Sequence, residues 1–155
     1  MSVLAAGGLV WRAHDQGVLS AGAGPAYEPW TTWLRPPGAG PLGLVRAGIL
    51  AASPHNTQPW LFRVGAARIE LYADPARRLG AFDPYVREMH IGLGCGVENM
   101  TRAARVYGYD ATVTEVSGRL APPRAGAPEL VATLDLAPAR PRPDALFDAI
   151  PRRHT

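Results

Sequence analysis

The chain has 155 residues, 47% of them hydrophobic, and its net charge of +3 comes from 16 Arg, since it contains no Lys. That length and composition suit one globular domain with a proper core. Several Arg lie beside acids (Arg68–Glu70, Arg87–Glu88, Arg102 near Glu98) and no basic stripe with interleaved aromatics forms, so nucleic acid is not expected as a partner.

The opening Leu4–Val10 run is too short to span a bilayer and has no basic residues ahead of it. As written it is no signal peptide, and a cytoplasmic protein without membrane contact is expected. Residues 1–40 are weakly periodic, with Trp11, Trp30 and Trp33 scattered among Gly and Pro. They read as an irregular arm. From Pro41 to Ala52 apolar residues surround a lone Arg46, which predicts a helix with Pro41 in its first turn and Ser53-Pro54 at its end.

Residues 51–60, Ala-Ala-Ser-Pro-His-Asn-Thr-Gln-Pro-Trp, carry the chain's most informative pattern. Ser53, Pro54, Asn56 and Pro59 are turn formers that end the apolar run. Ser53, His55, Asn56 and Gln58 can hydrogen-bond the edge of a heterocycle, and Asn56 and Gln58 can both donate and accept. A polar segment wedged between two hydrophobic stretches suits a small-molecule site. Equally, Ser53 and Asn56 could do no more than satisfy local backbone groups in a helix-to-strand connection. Hydrolysis by Ser53 and His55 is a poor reading, because no Gly-x-Ser-x-Gly elbow surrounds the serine.

Trp60–Val64 and Ala67–Ala73 alternate across Gly65 and predict a β-hairpin. Asp74–Pro84 reads as a loop carrying Arg77 and Arg78. A long helix is expected from Tyr85 to about Tyr107, with Val86, His90, Leu93, Val97, Met100, Ala104 and Tyr107 on one face. Gly92, Gly94 and Gly96 interrupt it, each costing up to about 1 kcal/mol against Ala. Close approach of another helix or of a ligand would offset that cost, and the Gly92/Gly96 pair, four apart on one face, would admit a second helix from a partner half or from within the domain. The run Gly92–Val97 is no dinucleotide fingerprint, because its third glycine comes one place early and it lies inside a helix.

Cys95, the single cysteine, excludes an intrachain disulfide framework and any CxxC motif, and its apolar neighbours predict a buried, inert thiol. His14, His55, His90 and His154 lack metal-ligand spacing, so no metal site is expected. Gly108-Tyr109 is a helix C-cap signal. Ala111–Val116 and Glu129–Leu136 follow as strands, the second with Leu130, Ala132, Leu134 and Leu136 on one side. After the Pro-Arg alternation of 138–143, Asp144–Ile150 starts a short helix that breaks at Pro151. The expected class is α+β, helices around a small, mostly antiparallel sheet.

Ser53-Pro54-His55-Asn56-Thr57-Gln58-Pro59-Trp60 resembles the flavin-contacting loop of the nitroreductase family, Ser-x-x-Asn-x-Gln-Pro-Trp after an apolar helix. Residues 41–117 resemble the first half of its Acg-like, double-length branch, on Ala51–Trp60, Ile69–Asp74 and Asp83–Ile91. Asp144–Thr155, ending Arg152-Arg153-His154-Thr155, looks like the opening of a second unit whose Arg-Arg motif holds a phosphate. The resemblance implies an FMN-dependent oxidoreductase passing hydride from NAD(P)H to a nitro- or quinone-like acceptor. The alternatives are a non-catalytic FMN-binding or FMN-sequestering protein and an inert assembly half. Ser53, Pro54, His55, Asn56 and Gln58 would contact the flavin ring and ribityl region, and Arg152, Arg153 and His154 the phosphate. No catalytic residue is identified. The implied organisation is an arm (1–40), a first nitroreductase-like unit (41–137), and a linker with the start of a second unit (138–155). A second half or a homodimer partner would complete the site. On this reading the 152–154 tail is unanchored, and the chain alone binds FMN weakly or not at all.

Overall fold

The computed structural model of the chain describes Trp11 and residues 27–32, 40–116 and 127–153. Most of the expected arm, with His14 and Trp33, lies outside the described residues, as do His154 and Thr155. The chain groups into two compact units, Met1–Arg35 and Pro36–Thr155. Within the first, Glu28–Thr31 form one helical turn.

The second unit is α+β, as the sequence pattern predicts. Helix α1 (Pro41–Gly48) starts with Pro at its first position and buries Leu44, Val45 and Ala47. It ends four residues short of the predicted Ala52. Leu50 and Ala51 donate their N–H groups three residues back, to Ala47 and Gly48, and tighten the last turn before the polar loop. Strands β1 (Trp60–Val64) and β2 (Arg68–Ala73) form the predicted antiparallel hairpin, in register from Trp60↔Ala73 to Val64↔Ile69. Helix α2 (Arg87–Tyr107) is followed by β3 (Tyr109–Glu115), β4 (Glu129–Pro138) and the short helix α3 (Ala145–Ala149).

The sheet order is β1-β2-β4-β3, with every pairing antiparallel. Alternation places Ile69, Leu71 and Ala73 of β2 beside Ala132, Leu134 and Leu136 of β4 on one buried face. Ile69 pairs with Leu134 and Leu71 with Ala132, before a bulge that follows Leu71. Leu44, Leu50, Met100 and Leu134 are fully buried, and each such side chain contributes roughly 1.5–3 kcal/mol. Gly108 ends α2 at φ +82°, and the chain crosses there, with Ala139 N–H donating to the Gly108 carbonyl at 2.8 Å.

The buried stripe of α2 is Met89, Gly92, Leu93, Gly96, Met100, Ala103 and Ala104. It is turned from the predicted face toward the glycines, leaving His90 and Val97 half-buried at its margin. The cause is α1, which packs along the glycine side while the sheet takes Leu93 and its neighbours. Gly48 of α1 meets Met100 and the Gly96 carbonyl, and Gly96 meets the Gly48 carbonyl. The predicted close approach is thus made within the unit. Cys95 falls on the opposite side and is exposed, not buried as its apolar neighbours suggested. One position along a helix moves a side chain by about 100°, which separates Cys95 from buried Gly96.

The three glycines differ in what a methyl group would meet. A Cβ at Gly96 would lie 3.5 Å from the Gly48 carbonyl, an ordinary contact, whereas one at Gly92 would lie 3.2 Å from the Ala52 carbonyl. Gly96→Ala is therefore expected to stabilise by up to about 1 kcal/mol through helix propensity. Gly92→Ala should destabilise by about 1 kcal/mol, because it presses on backbone, and Gly96→Leu by about 1–3 kcal/mol. Urea midpoints of the three variants check this ranking.

Candidate functional site

The loop between α1 and β1 is one turn of 3-10 helix, Pro54–Asn56, with extended Ser53 ahead of it. His55, Asn56 and Gln58 have φ values of 48°, 53° and 48°. Non-glycine residues rarely adopt this left-handed region, and each such residue costs about 1–3 kcal/mol unless its surroundings impose it. Here the surroundings do. Asn56 N–H donates to the Ser53 carbonyl and Thr57 N–H to the Pro54 carbonyl, both at 3.0 Å. Gln58 N–H donates to Ser53 Oγ at 3.0 Å, so the serine hydroxyl closes the loop on itself. Gln58 Nε2 donates to Asn56 Oδ1 at 3.3 Å.

Underneath, α2 gives the loop its seat. At Gly92 a Cβ would lie 3.4 Å from both Pro54 Cδ and Ser53 Cα. Downstream, Pro59 and Trp60 are buried and fix the loop to β1. The consequence is a rigid base under an exposed polar crest: His55, Asn56 and Gln58 all face solvent. Phe82, which is 82% exposed, stands beside the crest, with its ring centroid 6.1 Å from that of His55. Sequence reasoning did not single Phe82 out, because an isolated aromatic in a loop carries no spacing signal.

A second contact missed from the sequence reaches in from the end of β2, which pairs with the start of β1. Asp74 accepts from Ala76 N–H at 3.0 Å and caps the 3-10 turn Pro75–Arg77. Its other oxygen holds Arg77 Nε at 3.2 Å, while Arg77 Nη1 donates to the Thr57 carbonyl at 3.0 Å. Asp74-Pro75-Ala76-Arg77 is locally legible as a capped turn with an i,i+3 ion pair. That Arg77 reaches back to residue 57 is not.

At the other end of the chain, Arg153 Nη2 donates to the Leu50 carbonyl at 3.0 Å. The tail is therefore tied at Arg153 to the segment that feeds the 53–58 loop, against the expectation of an unanchored end. Helix α3 delivers it there. Asp144 caps α3, accepting from Leu146 and Phe147 N–H at 2.9 and 3.2 Å, and it binds Arg102 at 3.3 Å and Arg105 at 3.7 Å. Phe147 packs edge-on against Tyr107 with ring centroids 5.6 Å apart. Arg152 is exposed. His55 and His90 do not converge, and no group of three or more His, Cys, Asp or Glu able to hold a metal exists among the described residues.

No protein-family model matches the chain. Two curated proteins do, both named "Putative NAD(P)H nitroreductase" and both from strains of Mycobacterium tuberculosis. Each is 35% identical over 109 residues, which cover 69% of this chain and 30% of the relative. The chain is similar in sequence to nitroreductases. It spans about a third of the length of the relatives it matches, and its α+β architecture is compatible with half of a nitroreductase-like domain. No described helix is long and apolar enough to cross a membrane.

Asp144 sets a pH dependence for the tail. Burial opposes the charge of its carboxylate, but the N–H groups of Phe147 and Leu146 and the Arg102 guanidinium outweigh it and hold its pKa below the usual value. A depressed pKa means that this contribution is complete above the unfolded-state value of about 3.9 and is lost as pH falls through the folded-state value. Asp144→Ala should cost about 1–2 kcal/mol at pH 7, the usual range for losing such a cap. The difference from the parent chain should narrow below about pH 4. Urea unfolding from neutral pH to pH 3 would measure both.

Proposed function

We propose that this chain is the flavin-contacting part of an FMN-dependent oxidoreductase of the nitroreductase superfamily, in its Acg-like branch. The observation that carries the reading is the crest of the 53–58 loop. Three left-handed residues hold the Asn56 and Gln58 amides outward from a rigid base, within the loop whose sequence resembles the family's flavin loop. The likeness to proteins named NAD(P)H nitroreductases supports the same class.

The donor set suits a flavin. Asn56 and Gln58 offer amide donors and acceptors to a ring edge, and the Ser53 hydroxyl, having accepted Gln58 N–H, keeps its own hydrogen to donate. Pro54 adds a stiff apolar wall, and His55 with Phe82 adds aromatic surface beside it. Arg152 and Arg153 suit a phosphate, because guanidinium groups bind its oxygens bidentately; His154 joins them in the motif. When bound, FMN would supply the hydride chemistry between NAD(P)H and a nitro- or quinone-like acceptor. The protein's own work is placement: the loop binds and orients the ring edge, and the tail receives the phosphate. On this reading 41–137 form the first nitroreductase-like unit after an arm at 1–40, and 138–155 form the linker and the opening of a second, whose remainder or a homodimer partner completes the site.

The test is titration of the chain with FMN, followed by amide NMR so that even millimolar binding is seen. Shifts confined to residues 53–58, to Phe82 and to residues 152–154 are expected. Shifts elsewhere, or none, would overturn the reading. Arg152→Ala should weaken FMN by roughly 10- to 150-fold, since a hydrogen bond to a charged group contributes roughly 1.5–3 kcal/mol. Riboflavin, which has no phosphate, should bind the variant as before. Bleaching of bound flavin by NADPH marks an oxidoreductase, whereas flavin that binds and stays oxidised marks a carrier.

A further inference from the structure

We propose that Arg77 is a positioning residue for the flavin loop, holding the Asn56-Thr57-Gln58 backbone, left-handed at Asn56 and Gln58, in its binding geometry from the end of β2; this rests on the flavin reading above.

Thr57 lies between two residues of positive φ, and its own φ is −67°. The peptide that carries its carbonyl therefore joins a right-handed residue to a left-handed one. Rotating that peptide would relax Gln58 toward ordinary backbone and would move its N–H away from Ser53 Oγ. The Thr57 carbonyl is where such a rotation is resisted, and Arg77 Nη1 donates to it at 3.0 Å. Arg77 is itself aimed. Its Nε is held by Asp74 Oδ2 at 3.2 Å, and Asp74 is fixed by accepting from Ala76 N–H and by donating its own N–H to the Pro59 carbonyl at 2.9 Å. The brace thus runs from the end of β2 to both sides of Gln58, at Thr57 and at Pro59.

A purely structural reading explains this contact poorly. The Arg77 side chain is half-exposed, and exposed ion pairs contribute little to global stability. What the guanidinium grips is a backbone carbonyl flanked by two residues of positive φ, Asn56 and Gln58. Its two donor groups divide the task, one on Asp74 and one on Thr57, which a planar fork can do and an ammonium cannot do equally well.

The experiment compares Arg77→Met and Arg77→Lys with the parent chain by amide hydrogen exchange, thermal melting and FMN titration. In Arg77→Met, exchange at the Gln58 amide should accelerate about tenfold through local opening of the loop. Exchange in α2 and the melting temperature should stay as in the parent. Arg77→Lys, which retains a cationic donor, should recover part of the Gln58 protection, and FMN binding should rank parent, Lys variant, Met variant. Gln58 exchange unchanged in Arg77→Met would overturn the inference, as would acceleration spread evenly over the whole chain. If the parent binds no FMN while Gln58 exchange still responds to Arg77, the brace stands and the flavin reading falls.

Discussion

Close contact between α1 and α2 is the constraint on which the rest of the second unit depends. A β-carbon at Gly48 of α1 would lie 2.9 Å from Met100 Cγ of α2, and Gly96 stands opposite, its own β-carbon position 3.5 Å from the Gly48 carbonyl. The chain leaving α1 crosses α2 at Gly92, where a β-carbon would come within 3.2–3.4 Å of Ala52, Ser53 and Pro54. A β-carbon at Gly92 would lift that crossing. The helix propensity given up at Gly92 is therefore offset by the placement of the loop that follows.

Placement alone would leave the loop soft. Its three residues of positive φ are held by short-range hydrogen bonds, by the Ser53 hydroxyl, and by the reach of Arg77 from the hairpin. Strain of this sort persists where the surroundings over-determine a geometry, and such places are commonly binding sites. The same loop leaves its polar groups facing water, although Trp60 and Pro59 beside it are buried. A segment braced in backbone with its amide side chains exposed is pre-organised for a ligand with a polar edge. The C-terminal tail joins this arrangement through Arg153 and Leu50, with Asp144 setting the entry of α3.

Much of the fold was legible because its signals are local. Alternation in 60–73 and 129–136 reports a half-buried sheet, Gly108 reports a helix end, and Asp144 reports a helix start. Where sequence reasoning missed, the cause was a neighbour. The face of α2 turned toward its glycines because α1 packs there, and Cys95 was left outside by the same rotation. Helix α1 stopped early because its last carbonyls, of Ala47 and Gly48, accept N–H groups from only three residues on.

The candidate site divides along the same line. Residue types in 53–60 are enough to mark a polar turn with hydrogen-bonding amides, since Pro, Asn and Ser impose that locally and the motif's resemblance names a ligand class. The sequence by itself therefore determined the element order, the α+β class and the segment that carries the chemistry. Only the tertiary structure decided that Gln58 is left-handed, that Arg77 and Phe82 stand at the loop, and that Arg153 is tied to Leu50. Those facts join residues separated by 20 to 103 positions in the chain. Contacts at such separations are set by how elements pack, and no local propensity records them.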